Sequence, residues 1–311
     1  MDQAVSMPMR AASLLARRMG GEPEDWTLAP IAIKPRTEAH RGVYLAARRA
    51  DRAGGPPLRL AVKICQTAER ALSEHGRLAA CSAPGAPPLA PRPLFVDREA
   101  AGIGMELLEG PTLDLALGEG AIERDAALRA AGAWLAALHA RAPKASRPLR
   151  PGPRVQALLG AGPEPWRPQA FQDRLPALRR AAEAARGAEL TLVVAHGDFH
   201  PRNLVLTDEG LRGFDFGPEA RLPALADLAR FLVMTTLWRP RPGAGEGVAP
   251  LDANALLEGY GAPEAASAAL GFFLSLQALR YWRLRVHLLG GTQEDEAIRR
   301  RLLAMTRPAE A

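Results

Sequence analysis

Lysine is scarce in this chain. It occurs only at Lys34, Lys63 and Lys144, although Lys and Arg together number 40. Asparagine is scarcer still, at Asn203 and Asn254. Cysteine occurs twice, at Cys65 and Cys81, a spacing that supplies neither a disulfide framework nor a zinc site. A reducing cytoplasm is therefore the expected location, and Cys65, in an apolar strand, reads as a buried inert thiol. No run of eighteen apolar residues exists, which argues against a membrane span. The start, MDQAVSMPMRAASLLARRMGG, lacks the long apolar core of a secretion signal and carries Asp2, so it reads as an amphipathic helix over 5–19. The net charge is +6, but no block of five or six like charges and no aromatic stacking motif accompanies it, so nucleic acid is not an expected partner. There is no internal repeat.

What is present is a globular composition, 48% hydrophobic and 24% charged over 311 residues. Alanine, glycine, proline and arginine dominate, as in a GC-rich genome that presses against lysine and asparagine codons. Lys34 and Lys144 lie beside prolines in expected loops. Lys63 lies in LRLAVKIC, an apolar strand where an ammonium is costly unless paired. The pattern predicts strands at 27–33, 41–48, 58–65, 93–97 and 102–108, with a turn at 54–57 and a helix at 67–81. Helices follow at 121–140, 170–187, 223–237 and 265–289, with a Pro/Gly/Arg-rich loop over 141–167. A β-rich first third thus precedes a helical remainder.

Residues 193–217, VVAHGDFHPRNLVLTDEGLRGFDFG, concentrate the chemistry. Apolar segments at 204–206 and 211–214 flank a turn at 207–210, a hairpin with Asn203 before it and Asp215 at its end. Phosphoryl transfer needs neutralisation of phosphate charge more than covalent help. Mg²⁺ takes hard oxygen ligands, which the Asp215 carboxylate and the Asn203 amide oxygen supply. Asp198, on the loop before them, suits a base for an attacking hydroxyl.

A strand lysine, a helix glutamate, HGDFHPRN and FDFG in this order resemble the aminoglycoside phosphotransferase and choline kinase group of kinase-like phosphotransferases. HGD rather than HRD, and a long helix ending WLAALHA, separate it from protein kinases, and no activation segment ending in APE follows. The resemblance runs from about residue 40 to 285. It implies an α+β, bilobal protein-kinase-like fold: a small β-rich N-terminal lobe (1–108) and a larger, mainly helical C-terminal lobe (109–311). It implies ATP and Mg²⁺ as cofactors and a hydroxylated small molecule as acceptor. By the same resemblance Asp198 is the catalytic base and Asn203 and Asp215 bind Mg²⁺. Lys63 holds the α- and β-phosphates. Glu74 is its favoured helix partner, with Glu69 the alternative. The hinge Met105, Glu106, Leu107 and Leu108, up to Glu109, offers main-chain groups to adenine. Asp227 props the catalytic loop, and His196 is structural.

No GxGxxG lies between the first strands, where RTEAHRG stands at 36–42. Arg202 either contacts phosphate or lies in solvent, and His200 has at most a helper role. His139 and Trp134 read as core. Arg280, Arg283 and Arg285 with Tyr281 line a substrate pocket or are solvated. Asp173, Glu219 and Asp252 either attract a cationic substrate or are ordinary surface carboxylates. A nucleotide-binding module without transfer activity is the alternative function.

Overall fold

The computed structural model describes residues 7–33, 42–48, 58–82, 87–160, 169–262, 267–285 and 289–306. Lys34, most of the RTEAHRG segment, the turn expected at 54–57 and the end of the loop expected at 141–167 lie outside the described residues. The chain forms two compact units: Met1–Gly110 with Arg212–Glu219, and Pro111–Leu211 with Ala220–Ala311. The fold is α+β, one unit built on a sheet and the other mainly helical.

The first unit contains an antiparallel sheet of β1 (Trp26–Ile33), β2 (Gly42–Arg48), β3 (Arg59–Ile64), β4 (Pro93–Asp97) and β5 (Gly102–Glu106), in the order β1-β2-β3-β5-β4. β5 is shorter than the expected 102–108 strand, so Leu107 and Leu108 leave the sheet. Helix α1 (Met7–Met19) puts Met7, Ala11, Leu14 and Leu15 into one core with Trp26, Tyr44, Leu60, Val62 and Ile64. The amphipathic N-terminal segment is therefore a core element. Gly102 makes that approach possible, since a Cβ there would meet Leu14 Cδ2 at 2.4 Å. Arg17 and Arg18 fix the end of α1 to Asp97, at 3.3 and 3.0 Å. Helix α2 (Ala68–Cys81) starts at Thr67, whose hydroxyl accepts from the Arg70 amide.

The second unit carries α3 (Leu113–Glu119), α4 (Arg124–His139), α5 (Pro151–Gly160), α6 (Gln169–Gln172) and α7 (Leu175–Ala184) before the signature loop. β6 (Ala145–Pro148) and β7 (Glu189–Val194) pair in a sheet that β10 (Arg221–Pro223) completes. β8 (Leu204–Thr207) and β9 (Gly210–Gly213) form the hairpin, and α8 (Ala224–Trp238), α9 (Pro250–Tyr260), α10 (Ala268–Arg285) and α11 (Gln293–Ala304) follow.

Three expectations fail here. The 141–167 segment is not a plain loop, because β6 pairs with β7 and α5 begins at Pro151, a residue suited to a helix start. The helix expected over 170–187 is two pieces, broken ahead of Pro176 near the start of α7. Asp252 is no surface carboxylate. It lies in the first turn of α9, 2% exposed, and binds Arg124 at 2.6 Å and Arg241 at 2.7 Å.

Candidate active site

The singled-out residues fall into a group in each unit. In the first, β3 places Lys63 beside α2. Lys63 Nζ donates to Glu74 Oε1 and Oε2 at 2.6 and 2.7 Å and to Asp215 Oδ1 at 2.6 Å. Glu74 is 3% exposed, whereas Glu69 sits exposed in the first turn of α2, so Glu74 is the lysine's partner. Burial opposes the Lys63 charge, but the two carboxylates more than offset it and hold the ammonium above its ordinary pKa. Burial pushes the Glu74 carboxyl up, and Lys63 opposes that push. The Cys65 thiol, free and buried just past β3, is pushed up to about 11, first by burial and then by Glu74. It is unreactive near neutrality.

Asp215 lies two residues beyond β9 with φ +57°, a left-handed conformation that Asp adopts more readily than most residues. The following turn is held from α2. Arg70 donates to the Phe216 carbonyl at 3.0 Å and Arg77 to that of Gly217 at 2.7 Å, with the Arg77 guanidinium 4.7 Å from the Phe216 ring centroid. The strained carboxylate is thus built in by contacts on the residues after it.

Met105 is buried in β5, and Glu106 ends that strand. The Glu106 carboxylate is occupied. It accepts two bonds of 2.9 Å from Arg212 and one of 3.0 Å from the Arg92 amide. Arg212, 7% exposed, also donates to the Ala90 carbonyl at 3.0 Å. The side chain of Glu106 therefore braces the segment, and Leu107 and Leu108 follow it outside the sheet.

The second group surrounds the loop after β7. Asp227 Oδ2 accepts from the His196 amide at 2.7 Å, and Oδ1 accepts from the Gly197 amide at 3.0 Å. His139 bridges two partners, with Nε2 3.1 Å from Asp227 Oδ2 and Nδ1 2.9 Å from the Tyr260 hydroxyl oxygen. Burial pushes the Tyr260 hydroxyl up to about 12, with Asp227 adding to it, so it stays protonated. Burial works against the Asp227 charge, yet the bond from His139, the nearby imidazoles and the Gly197 amide outweigh it and hold this carboxyl below its usual range. His139 is therefore more than core filling. Trp134 is core, stacked on Phe199 with ring centroids 5.6 Å apart.

Asp198 follows on this braced loop. Its amide donates to His196 Nδ1 at 3.2 Å, and its carbonyl accepts from Asn203 Nδ2 at 2.9 Å. The buried Asn203 thus commits its nitrogen to the loop, which leaves its oxygen as the atom suited to a cation. The Asp198 carboxylate meets two side chains. Arg230, from α8, donates to Oδ1, and His200 Nε2 lies 3.7 Å from the same oxygen. Arg230 was not foreseen; nothing local distinguishes it among many arginines. The Arg202 side chain is 46% exposed. Its guanidinium lies 4.1 Å from the Trp238 ring centroid and 3.3 Å from Asp114, which also binds Arg239.

Among the described residues no three His, Cys, Asp or Glu side chains gather as a protein-only metal cage. A cation held by one carboxylate, one amide oxygen, water and phosphates does not need one. The Asp215 carboxylate and the Asn203 amide oxygen are each of the hard-oxygen type that such an ion takes. No described helix is long and apolar enough to cross a membrane.

Among curated proteins none matches the chain by sequence. Solved structures match its fold. Amicoumacin kinase hAmiN shares 15% identity at a TM-score of 0.59, over 92% of this chain and 88% of that one. The choline kinase LicA from Streptococcus pneumoniae shares 14% at 0.59, over 90% and 92%. A choline/ethanolamine kinase family protein from Mesorhizobium loti shares 15% at 0.56, over 96% of each chain. The family model APH, described as the phosphotransferase enzyme family, matches residues 44–269, most of the sheet unit's strands and all of the signature loop. The chain therefore belongs to the APH phosphotransferase enzyme family.

Proposed function

We propose that this protein is a kinase that uses ATP and Mg²⁺ to phosphorylate a hydroxyl group of a small molecule. The observation that carries the reading is the Lys63 ammonium fixed by Glu74 and Asp215 within 2.7 Å. A compact charge held this way is poised to hold α- and β-phosphate oxygens. Asp215 and Asn203 would hold Mg²⁺, which when bound offsets charge on the phosphates. The main chain of Met105–Leu108 would bind adenine, with the Glu106 side chain kept out of that role by Arg212. Support for a nucleotide and a divalent cation comes from the amicoumacin kinase, solved in complex with AMP-PNP and Ca²⁺. It reaches this chain through likeness of fold alone.

Asp198 orients the acceptor hydroxyl. As the acceptor oxygen bonds to the γ-phosphorus and the bond to the ADP oxygen breaks, the hydroxyl proton passes to the Asp198 carboxylate. Asp227 keeps that loop in shape through two main-chain amides. It touches no reacting atom and is a positioning residue. A cytoplasmic location belongs to the same proposal, in keeping with two buried cysteines.

The test is ADP release by purified protein with Mg²⁺–ATP across sugars, amino alcohols, aminoglycosides, macrolides and hydroxy acids. Thermal-shift titration with ATP, with and without Mg²⁺, runs beside it. Acceptor-dependent turnover is expected. Nucleotide binding with no acceptor turned over would instead favour a module without transfer activity.

A further inference from the structure

We propose that the phosphate acceptor is an anion, a hydroxylated carboxylate or phosphate ester whose charge is taken by Arg230 and Arg280. This rests on the role given to Asp198 above and adds the acceptor's chemical class. Arg230 reaches Asp198 from α8, so a cation stands at the carboxylate that is to receive the hydroxyl proton. A guanidinium has five N–H donors in a planar fork. The Nε of Arg230 is buried and has no hydrogen-bond partner among the described residues.

Helix α10 brings a second cation to the same place. Gln277 Nε2 donates to the Ala226 carbonyl of α8 at 3.4 Å. Arg230 and Arg280 lie about one turn beyond those two residues in their helices. Arg283, next on α10, spends its guanidinium on the Leu158 and Ala157 carbonyls at 2.6 and 3.5 Å. Arg280 has no carboxylate partner among the described residues. Arg280 lies at an exposed position of α10, and partial desolvation, then the like charges of Arg230 and Arg283, hold its pKa below the ordinary value. The acids nearby are already engaged: Asp198 with Arg230, and Asp227 with His139 and two amides.

Two guanidinium groups that share a single carboxylate repel an amine and attract an oxyanion. An anionic acceptor would also draw Arg230 towards itself and release the Asp198 oxygen for the hydroxyl. A polycationic or quaternary-amine acceptor would have to enter against both arginines.

Calorimetry on the full chain with AMP-PNP and Mg²⁺ tests this. Matched alcohols serve as probes: glycerate and 3-phosphoglycerate against glycerol and serinol, and gluconate and glucose 6-phosphate against glucose and glucosamine. At least one anionic member should bind tenfold or more tightly than its neutral and amine counterparts, and the carboxylate and phosphate arms identify which oxyanion is preferred. Arg280→Gln should cut that preference to about threefold or less, and Arg280→Lys should restore part of it. Preference for neutral or amine members, no binding of any anionic member, or an unchanged preference in Arg280→Gln overturns the proposal. Anion binding that depends on Arg280, with no phosphoryl transfer to any bound alcohol, would sink the kinase reading and leave the anion site standing.

Discussion

In the first unit one ammonium is shared by two carboxylates, Glu74 from α2 and Asp215 from beyond β9. In the second unit two carboxylates, Asp198 and Asp227, belong to one loop neighbourhood, and neither meets a lysine. Asp227 is held by two main-chain amides and an imidazole, and Asp198 by an arginine. The two arrangements respond differently to loss of a partner. Removing Lys63 leaves two negative groups facing each other with no counter-charge. Removing Asp227 leaves two main-chain amides and His139 without their acceptor, a fault of loop shape more than of charge.

The largest effect tests the second unit. Asp198→Ala should lower turnover about 10²–10⁴-fold, the usual range for a general base, and leave the ATP-induced thermal shift nearly unchanged. Turnover equal to that of the unaltered protein would remove Asp198 from the reaction. Lys63→Met probes the first unit. It should weaken ATP binding tenfold or more and destabilise the fold by about 2–3 kcal/mol, less than a fully buried pair because Asp215 is a third exposed. Urea denaturation of Lys63→Met/Glu74→Gln should recover part of that loss. If the double variant is no more stable than the single one, carboxylate repulsion is not what the lysine relieves.

Asp227→Asn should cost about 1–3 kcal/mol at neutral pH, with a pH dependence whose sign is fixed. The folded-state pKa of Asp227 lies below its unfolded value, so the unfolded chain takes up the proton first as pH falls. Its contribution is complete above the ordinary carboxylate value of about 4 and is lost as pH drops through the depressed one. The gap in stability between Asp227→Asn and the unaltered protein should therefore close in acid. A gap that widened below pH 4 would contradict the hydrogen-bond account. Arg202→Ala should do least, about 0.5–1 kcal/mol for a half-exposed guanidinium resting on Trp238. A large loss of turnover in this variant would return Arg202 to the phosphates.

The strand lysine and HGDFHPRN were legible because they combine residue types that have few other reasons to occur together. Glu74 was legible through its spacing to Leu78, and coordinates were needed only to choose it over Glu69. The missed pieces share a physical cause. α9 and α11 fall within the expected helical remainder but without bounds, because their apolar stripes are weak, one opening on Pro250 and the other dense in charge. α5 was hidden by prolines that open a helix as readily as they end one. Arg230 and Arg212 act through pairs distant in sequence, with Asp198 and Glu106, and an arginine-rich chain gives no local mark to either.

Where α4 crosses α9, each helix presents a glycine to the other. A Cβ on Gly132 would meet the Leu256 carbonyl oxygen at 2.2 Å, and one on Gly259 would meet that of Arg129 at 2.0 Å. Neither obstacle is a side chain that can swing away. A single methyl at Gly259 would force the backbones apart next to Tyr260, whose hydroxyl anchors His139 and, through it, Asp227. A residue that touches nothing chemical is thereby wired to the loop that carries Asp198, so natural variation at this crossing should be as constrained as at the signature itself.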